Sequence, residues 1–523
     1  MTDTRGPWAD WDAWPRYLER FLIVLNASVL ILWLPEYLSW PWWTDHDVFA
    51  TMARGWDEGL LPYRDLKGTN FPGTMYLFWL LGRVVGWGKT SSFYVLDVAF
   101  LLVFIAALLV WSRRCLSRLL PGLVGCSALL PYYLGLDFSL TAQRDWQAPL
   151  LAFTGLLLQQ SFPGRAARVV SAVLFACGVT IRPQIVLFIP AVLLAMGTAS
   201  ERGENTMRWR PLLEWTAAFA VSLLLAFSPL WLAGVFGDFL EGVRRVSYGS
   251  QYNKVRPGEF VARLIYQIAF NNKLVVLILT LGLYRLVPAA RRVTAVWNLA
   301  FILALLYFPL SPKAFPYGLH PLWIAWGINV AVLTHQVMHV RAEAPVLQAA
   351  LVLVLALGLG PTLKPGNASI SRFWAFASGQ PAAARGVPLG YRHPYEWPLY
   401  SWPDYQSVLH YLRTRTSPAT RVANLARVAI TAPADRRPVF PAESTSWLIM
   451  IDAGDEDRFA SSLAGATDSV VVWAPEAPYE RDEFPRLKAA VRRFYAPEAR
   501  FGELEVWGRK ASSPDPPGYG GTQ

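Results

Sequence analysis

Apolar positions in this chain gather into long runs separated by short polar stretches. A helix needs about 17–25 mostly apolar residues to cross the hydrocarbon core of a bilayer. On that rule the sequence predicts eleven spans, at 19–38, 92–111, 118–136, 147–161, 166–181, 184–199, 212–234, 273–288, 293–310, 319–338 and 346–362. Between the first two runs the pattern changes. Residues 39–91 carry Asp45, Asp47, Asp57, Glu58 and Asp65 around two helix-like pieces, Val48 to Trp56 and Pro72 to Val85. Carboxylates are costly in lipid, so this loop belongs in water at the membrane surface. The second piece is apolar, but Pro72, Gly73, Gly82 and Arg83 make it a poor span. It is expected to lie along the interface, with Tyr76 and Trp79 at headgroup level.

Beyond Pro361 the long apolar runs stop. Residues 363–400 are rich in Pro, Gly and aromatics and read as a linker. From 401 to 510 the pattern is that of a small soluble α/β domain. It predicts a helix over Asp404 to Arg415, strands over Arg421 to Ala426, Ser446 to Ile451 and Ser469 to Trp473, and a helix over Glu483 to Tyr495. Residues 511–523 read as a disordered tail. The expected fold is therefore mainly α: a polytopic membrane helix bundle over 1–362 with a small C-terminal α/β domain.

Charge sets the orientation. With the N-terminus inside, the short inner loops hold Arg113, Arg114 and Arg118; Arg165 and Arg168; Arg202, Arg208 and Arg210; Arg291 and Arg292; and Arg341. Every one is basic, as the positive-inside rule requires, provided 72–86 does not cross. The loop 39–91, the segment 137–147 (DFSLTAQRDWQ), the Arg182-Pro183 break, the segment 235–272 and SPKAFPYGLHP at 311–321 then share the outer side with the C-terminal domain. The net charge of +11 could suggest a nucleic-acid partner. Its placement at the ends of apolar runs points instead to membrane lipids. The composition, 54% hydrophobic with 24 Trp, fits an integral membrane protein. Cys115, Cys126 and Cys177 have no metal or disulfide spacing. The polar start runs to Arg20 with no cleavage site, so the first span is expected to remain as an anchor. No P-loop, GxSxG or HExxH pattern supports ATP, serine or zinc hydrolysis.

An acidic pair just after the first span, a small-residue helix, then G-x-x-PY-x-D and N-x-PG opening a second helix resembles the first external loop of GT-C glycosyltransferases. The matching residues are Asp45, His46, Asp47, Phe49, Gly59, Pro62, Tyr63, Asp65, Asn70, Pro72 and Gly73. The nearest subgroup contains the protein O-mannosyltransferases and the lipid A aminoarabinose transferases. The resemblance implies a GT-C-type membrane bundle that takes a sugar from a polyprenyl-phosphate carrier, with inversion, to a lipid, glycan or protein acceptor at the outer face of a bacterial inner membrane. The familiar acidic pair is Asp-Glu, where this chain has Asp45-His46. That departure leaves the catalytic position open between Asp45 and Asp47; Asp45 is the expected base, with Asp47 as the alternative. Tyr63 and Asp65 are expected to support the loop, Asp65 for example by capping the turn at 66–69.

Inverting transfer needs a carboxylate that takes the acceptor proton and a cation that meets the departing phosphate. Arg144 offers a planar fork suited to phosphate oxygens. Its neighbour Asp145 would orient the site or share a divalent metal with Asp45 and Asp47; metal dependence stays open. Lys313, in the proline-rich 311–321 loop, is the second phosphate candidate, with headgroup anchoring as the plain alternative. Arg182 and Lys254 are weaker ones. His46 and His320 could meet sugar hydroxyls, but neither has a partner at metal-ligand spacing. The protein mannosyltransferases carry an Arg at the start of the second span; SSFYVLD here has none. A glycan ligase of the same architecture is an alternative. A polytopic transporter or flippase is another, although no two-fold repeat is visible.

Overall fold

The computed structural model describes residues 13–68, 70–136, 138–197, 209–245, 256–269, 273–310, 316–340, 345–357, 370–380, 401–426, 428–440, 454–475 and 484–511. In chain order the helices are α1 Trp14–Leu38, α2 Thr44–Asp57, α3 Gly73–Val85, α4 Thr90–Cys115, α5 Leu120–Leu134, α6 Arg144–Ser161, α7 Arg165–Ile181, α8 Ile189–Gly197, α9 Trp209–Leu232, α10 Phe236–Arg244, α11 Pro257–Ala269, α12 Lys273–Gly282, α13 Arg291–Leu310, α14 His320–Val340, α15 Pro345–Leu357, α16 Ile370–Ala377, α17 Trp402–Arg415, α18 Gly454–Gly465 and α19 Pro485–Phe494. Each apolar run of the sequence overlaps a helix, with the run at 184–199 divided between a 3₁₀ turn over Pro183–Phe188 and α8. Among the described residues α1, α4, α9 and α13 are long and apolar enough to cross a membrane. Their outward faces are apolar: Val24 is 65% exposed and Leu225 66%. Water disfavours such faces and lipid does not.

By contacts the chain divides into two units. One holds residues 1–37, 95–226 and 255–373; the other holds 38–94, 227–254 and 374–523. The sequence suggests a linear order of domains, whereas the second unit gathers the first loop with the C-terminal part.

In the first unit, small residues let helices approach closely. A side chain on Gly125 of α5 would come within 2.6 Å of the Gly327 carbonyl of α14, and one on Gly155 of α6 within 3.0 Å of the Ser171 carbonyl of α7. Buried polar groups pair across helices: the Gln160 side-chain oxygen accepts from the indoles of Trp111 and Trp297 at 2.8 and 2.9 Å. The Arg182-Pro183 break is real. A residue before proline is pushed to extended backbone, and Arg182 has φ −141° and ψ 108°. The chain then makes a 3₁₀ turn over Pro183–Phe188 before α8.

The second unit contains a five-stranded sheet built from β1 Arg421–Asn424, β2 Arg437–Pro438, β3 Ser469–Trp473, β4 Tyr495–Phe501 and β5 Leu504–Arg509, in the order β2-β1-β3-β5-β4. β1 pairs parallel with β2 and β3; β5 pairs antiparallel with β3 and β4. All five residues of the central β3 are buried. Its core partners include Phe459, Leu463, Leu487, Val491 and Phe494 from α18 and α19. The strand expected over 446–451 lies outside the described residues. The hairpin β4–β5, α18, α10, α11 and α16 are elements that the sequence reading did not identify.

Candidate active site

The first loop folds as α2, a turn, and α3. Asp45 and Asp47 both lie in the first turn of α2, where carboxylates oppose the helix dipole favourably. The helix opens with the ring of His46 reaching back to accept from the Trp43 N–H at 3.3 Å. His46 is buried among Phe78, Phe93 and Tyr94. In this position it caps the start of α2. After α2 the chain turns at Gly59, whose φ of +94° favours glycine.

Asp47 is buried, and its carboxylate faces three successive backbone amides. Ile430 and Thr431 donate to Oδ2 at 3.0 and 3.1 Å, and Ala432 donates to Oδ1 at 2.6 Å. Burial raises its pKa above the ordinary carboxylate range, and the three amides pull it part of the way back. Asp45, half-buried, is the other carboxylate of the same turn.

Asp65 supports the loop, on the side before it: Oδ2 accepts from the Leu61 N–H at 2.8 Å, which differs from the expected cap at 66–69. Tyr63 adopts φ +68°, donates to the Asn70 carbonyl at 2.8 Å and packs edge-on against Phe239 of α10. These contacts close the turn between α2 and α3.

In the first unit, Arg144 and Asp145 open α6, after an extended Gln143 and an Ala142 with φ +52°. Both are buried. The Asp145 carboxylate pairs with Arg182, whose Nε lies 2.9 Å from Oδ2, and accepts from the Tyr307 hydroxyl at 2.8 Å. Arg182 is thus paired with Asp145. Arg182 and Tyr307 both donate to the Asp145 carboxylate, which fits a role in orienting Arg182.

His320 is fully buried at the start of α14. Its Nε2 lies 2.9 Å from the Leu140 carbonyl, and its Nδ1 2.7 Å from the Tyr132 hydroxyl. A carbonyl only accepts, so Nε2 carries the proton and Nδ1 accepts from Tyr132. His320 therefore anchors the segment before Arg144. Among the described residues no group of three or more His, Cys, Asp or Glu could hold a metal ion. Lys313 and Lys254 lie outside the described residues.

Three features were missed from sequence. Asp97, inside the apolar α4, is fully buried with Oδ2 accepting from the hydroxyls of Tyr37 and Tyr133 at 2.6 and 2.5 Å, and Oδ1 from the Gln147 amide at 3.1 Å. The Tyr133 hydroxyl also accepts from the Ala142 N–H at 2.9 Å, one residue before Gln143. Lys273, at the start of α12, is buried with its ammonium 3.7 Å from the Trp323 ring centre. Trp323 stacks on Tyr132, which ties Lys273 to the His320 cluster. Tyr307 is the third, on a helix with no sign of a role in its pattern. An acid inside an apolar run was the available signal for Asp97.

Two solved structures of ArnT from Cupriavidus metallidurans share this architecture. The apo form has 14% sequence identity and a TM-score of 0.58; the form bound to undecaprenyl phosphate has 13% and 0.55. Both superpositions cover 94% of this chain and 99% of ArnT. The chain has the GT-C fold. No protein-family model and no curated protein matches the sequence. Identity this low establishes a shared fold and leaves the reaction to be argued from the site. The GT-C bundle is the architecture expected from the loop motif of 45–73, and the small sheet near the C-terminus fits the α/β pattern read over 401–510.

Proposed function

We propose that this protein is an integral membrane glycosyltransferase that moves a sugar from a polyprenyl-phosphate carrier to an acceptor at the outer membrane face, with inversion. Asp45 takes the proton from the acceptor hydroxyl. The new bond forms at the anomeric carbon as the bond to the carrier phosphate breaks. Arg144, buried at the start of α6, and Lys313 meet the phosphate as its charge grows.

The observation that carries the reading is the division of labour in the first turn of α2. Asp47 is saturated by backbone donors. Asp45, in the same turn, matches the acidic position of the GT-C loop, which supports it as the group that takes the proton. The undecaprenyl phosphate bound to ArnT, whose fold this chain shares over nearly its full length, supports the carrier class.

The reading is tested by comparing lipid-linked sugars and surface glycans between deletion and parent cells. Loss of a glycan, with build-up of one polyprenyl-phosphate sugar, is expected. Unchanged profiles of both would refute a transferase.

A further inference from the structure

A carboxylate facing three successive amides in a chain segment more than 380 positions away is an unusual use of a loop acid. The receiving turn is built for it. Ala434 donates back to Ile430 at 2.8 Å, Asp435 to Ala432 at 2.9 Å and Arg436 to Thr431 at 3.0 Å. Helix α17 holds it from behind: Tyr405 donates to the Ala429 carbonyl at 2.6 Å, and Arg413 to the Pro433 carbonyl at 2.5 Å. The Arg436 guanidinium in turn binds the Leu412 and Thr416 carbonyls at 2.7 and 3.0 Å. With its own carbonyls engaged inward, the turn presents the N–H groups of 430–432 outward as a ready anion nest. Around this central contact stand three ion pairs between the same partners: Arg54 with Asp435 at 2.6 Å, Glu58 with Arg437 at 3.0 Å, and Lys67 with the buried Asp455.

We infer that Asp47 is a positioning residue: through the amide nest of 430–432, the C-terminal domain fixes the first turn of α2 and thereby the direction of the Asp45 carboxylate. Asp45 and Asp47 share one helical turn, so fixing Asp47 leaves Asp45 little freedom beyond its own rotamer. The outer ion pairs are partly exposed and add little each. The nest contact is desolvated and charge-assisted, which makes it the decisive one. This inference rests on the reading of Asp45 as the base.

The test uses the full chain. Asp47→Asn turns an amide N–H₂ toward donors and breaks the nest contact with little change in size. Three quantities are measured on it: hydrogen exchange of peptides covering 428–436, affinity for undecaprenyl phosphate, and the surface glycan restored to deletion cells at matched membrane levels. Exchange should rise, carrier affinity should stay at the parental value, and glycan formation should fall by about 10²-fold, the cost of a misplacement of about 1 Å. Asp47→Glu should recover part of both changed signals. Where Asp47→Asn does not accumulate, Tyr405→Phe, which removes the hydroxyl that donates to the Ala429 carbonyl from α17, loosens the same turn without touching α2 and should shift both signals the same way by less.

Unchanged exchange overturns the inference, even with glycan lost, because Asp47 would then act at the reacting atoms. Raised exchange with parental glycan overturns it as well, since the contact would be structural only. Failure of the base assignment shows separately, as an Asp45→Asn variant that keeps forming glycan.

Discussion

Removing the carboxylate of Asp97 tests whether the buried network near the start of α4 has the strength its geometry implies. Asp97→Ala strands the three donors that now meet it: the Tyr37 and Tyr133 hydroxyls and the Gln147 amide. Each buried donor left without an acceptor costs about 1–3 kcal/mol. The two hydroxyls stand 3.3 Å apart and can turn to each other, which leaves two donors stranded. The expected loss is then about 2–6 kcal/mol, a large share of a typical margin of about 5–15 kcal/mol. Relief from burying a charge works in the opposite direction, but breaking one member of a satisfied buried network usually outweighs it. Tyr37→Phe removes one donor and leaves Asp97 with two, so it should cost least. Tyr133→Phe should cost more, because its hydroxyl also accepts from Ala142. Thermal unfolding in one detergent should rank the variants Tyr37→Phe, Tyr133→Phe, Asp97→Ala in order of falling midpoint. An Asp97→Ala midpoint at or above that of the parent, or a reversal of the two tyrosines, would refute the reasoning.

Other outcomes follow from the site. Asp45→Asn should accumulate normally in the membrane yet lose about 10²–10⁴-fold in transfer, measured as glycan restored to deletion cells; retained transfer in both Asp45→Asn and Asp47→Asn would remove the base from this turn. Single cysteines at Gly88 and Ser378 should react with an impermeant thiol reagent from outside and one at Arg114 should not; protection at 88 with labelling at 114 would show that α3 crosses the bilayer. Lys313→Ala should lower turnover and Lys313→Arg restore part of it, because charge on the leaving phosphate grows in the transition state; a change confined to carrier affinity would make Lys313 a headgroup anchor.

Much of the bundle was legible because length and apolarity are enough to mark a helix that lies in lipid. Each of the eleven apolar runs, from 19–38 to 346–362, meets a helix. The short helices α10, α11 and α16 were not, since amphipathic pieces of 8 to 13 residues look like interrupted spans or linker. The β4–β5 hairpin did carry a signal: alternating LEVWGR after Gly502, whose φ is +59°. It is polar enough to pass for a tail. In the site, residue types were readable and their commitments were not. Nothing in the pattern links Asp47 to 430–432, because those residues offer only backbone amides, and every residue except proline has one. The Asp145–Arg182 pair was hidden because α6 and α7 separate the two residues along the chain, although both had been singled out.

The nest that receives Asp47 also has a place in time. Its amides are translated 383 to 385 residues after the carboxylate they hold. At about 5–20 residues per second, the first loop waits some tens of seconds for its counterpart. A chain cut short before residue 430 can insert its helices yet never complete the turn that carries Asp45. On the inference above, an unfinished copy would sit in the membrane and turn its carrier over poorly, so the order of synthesis ties turnover to a finished chain.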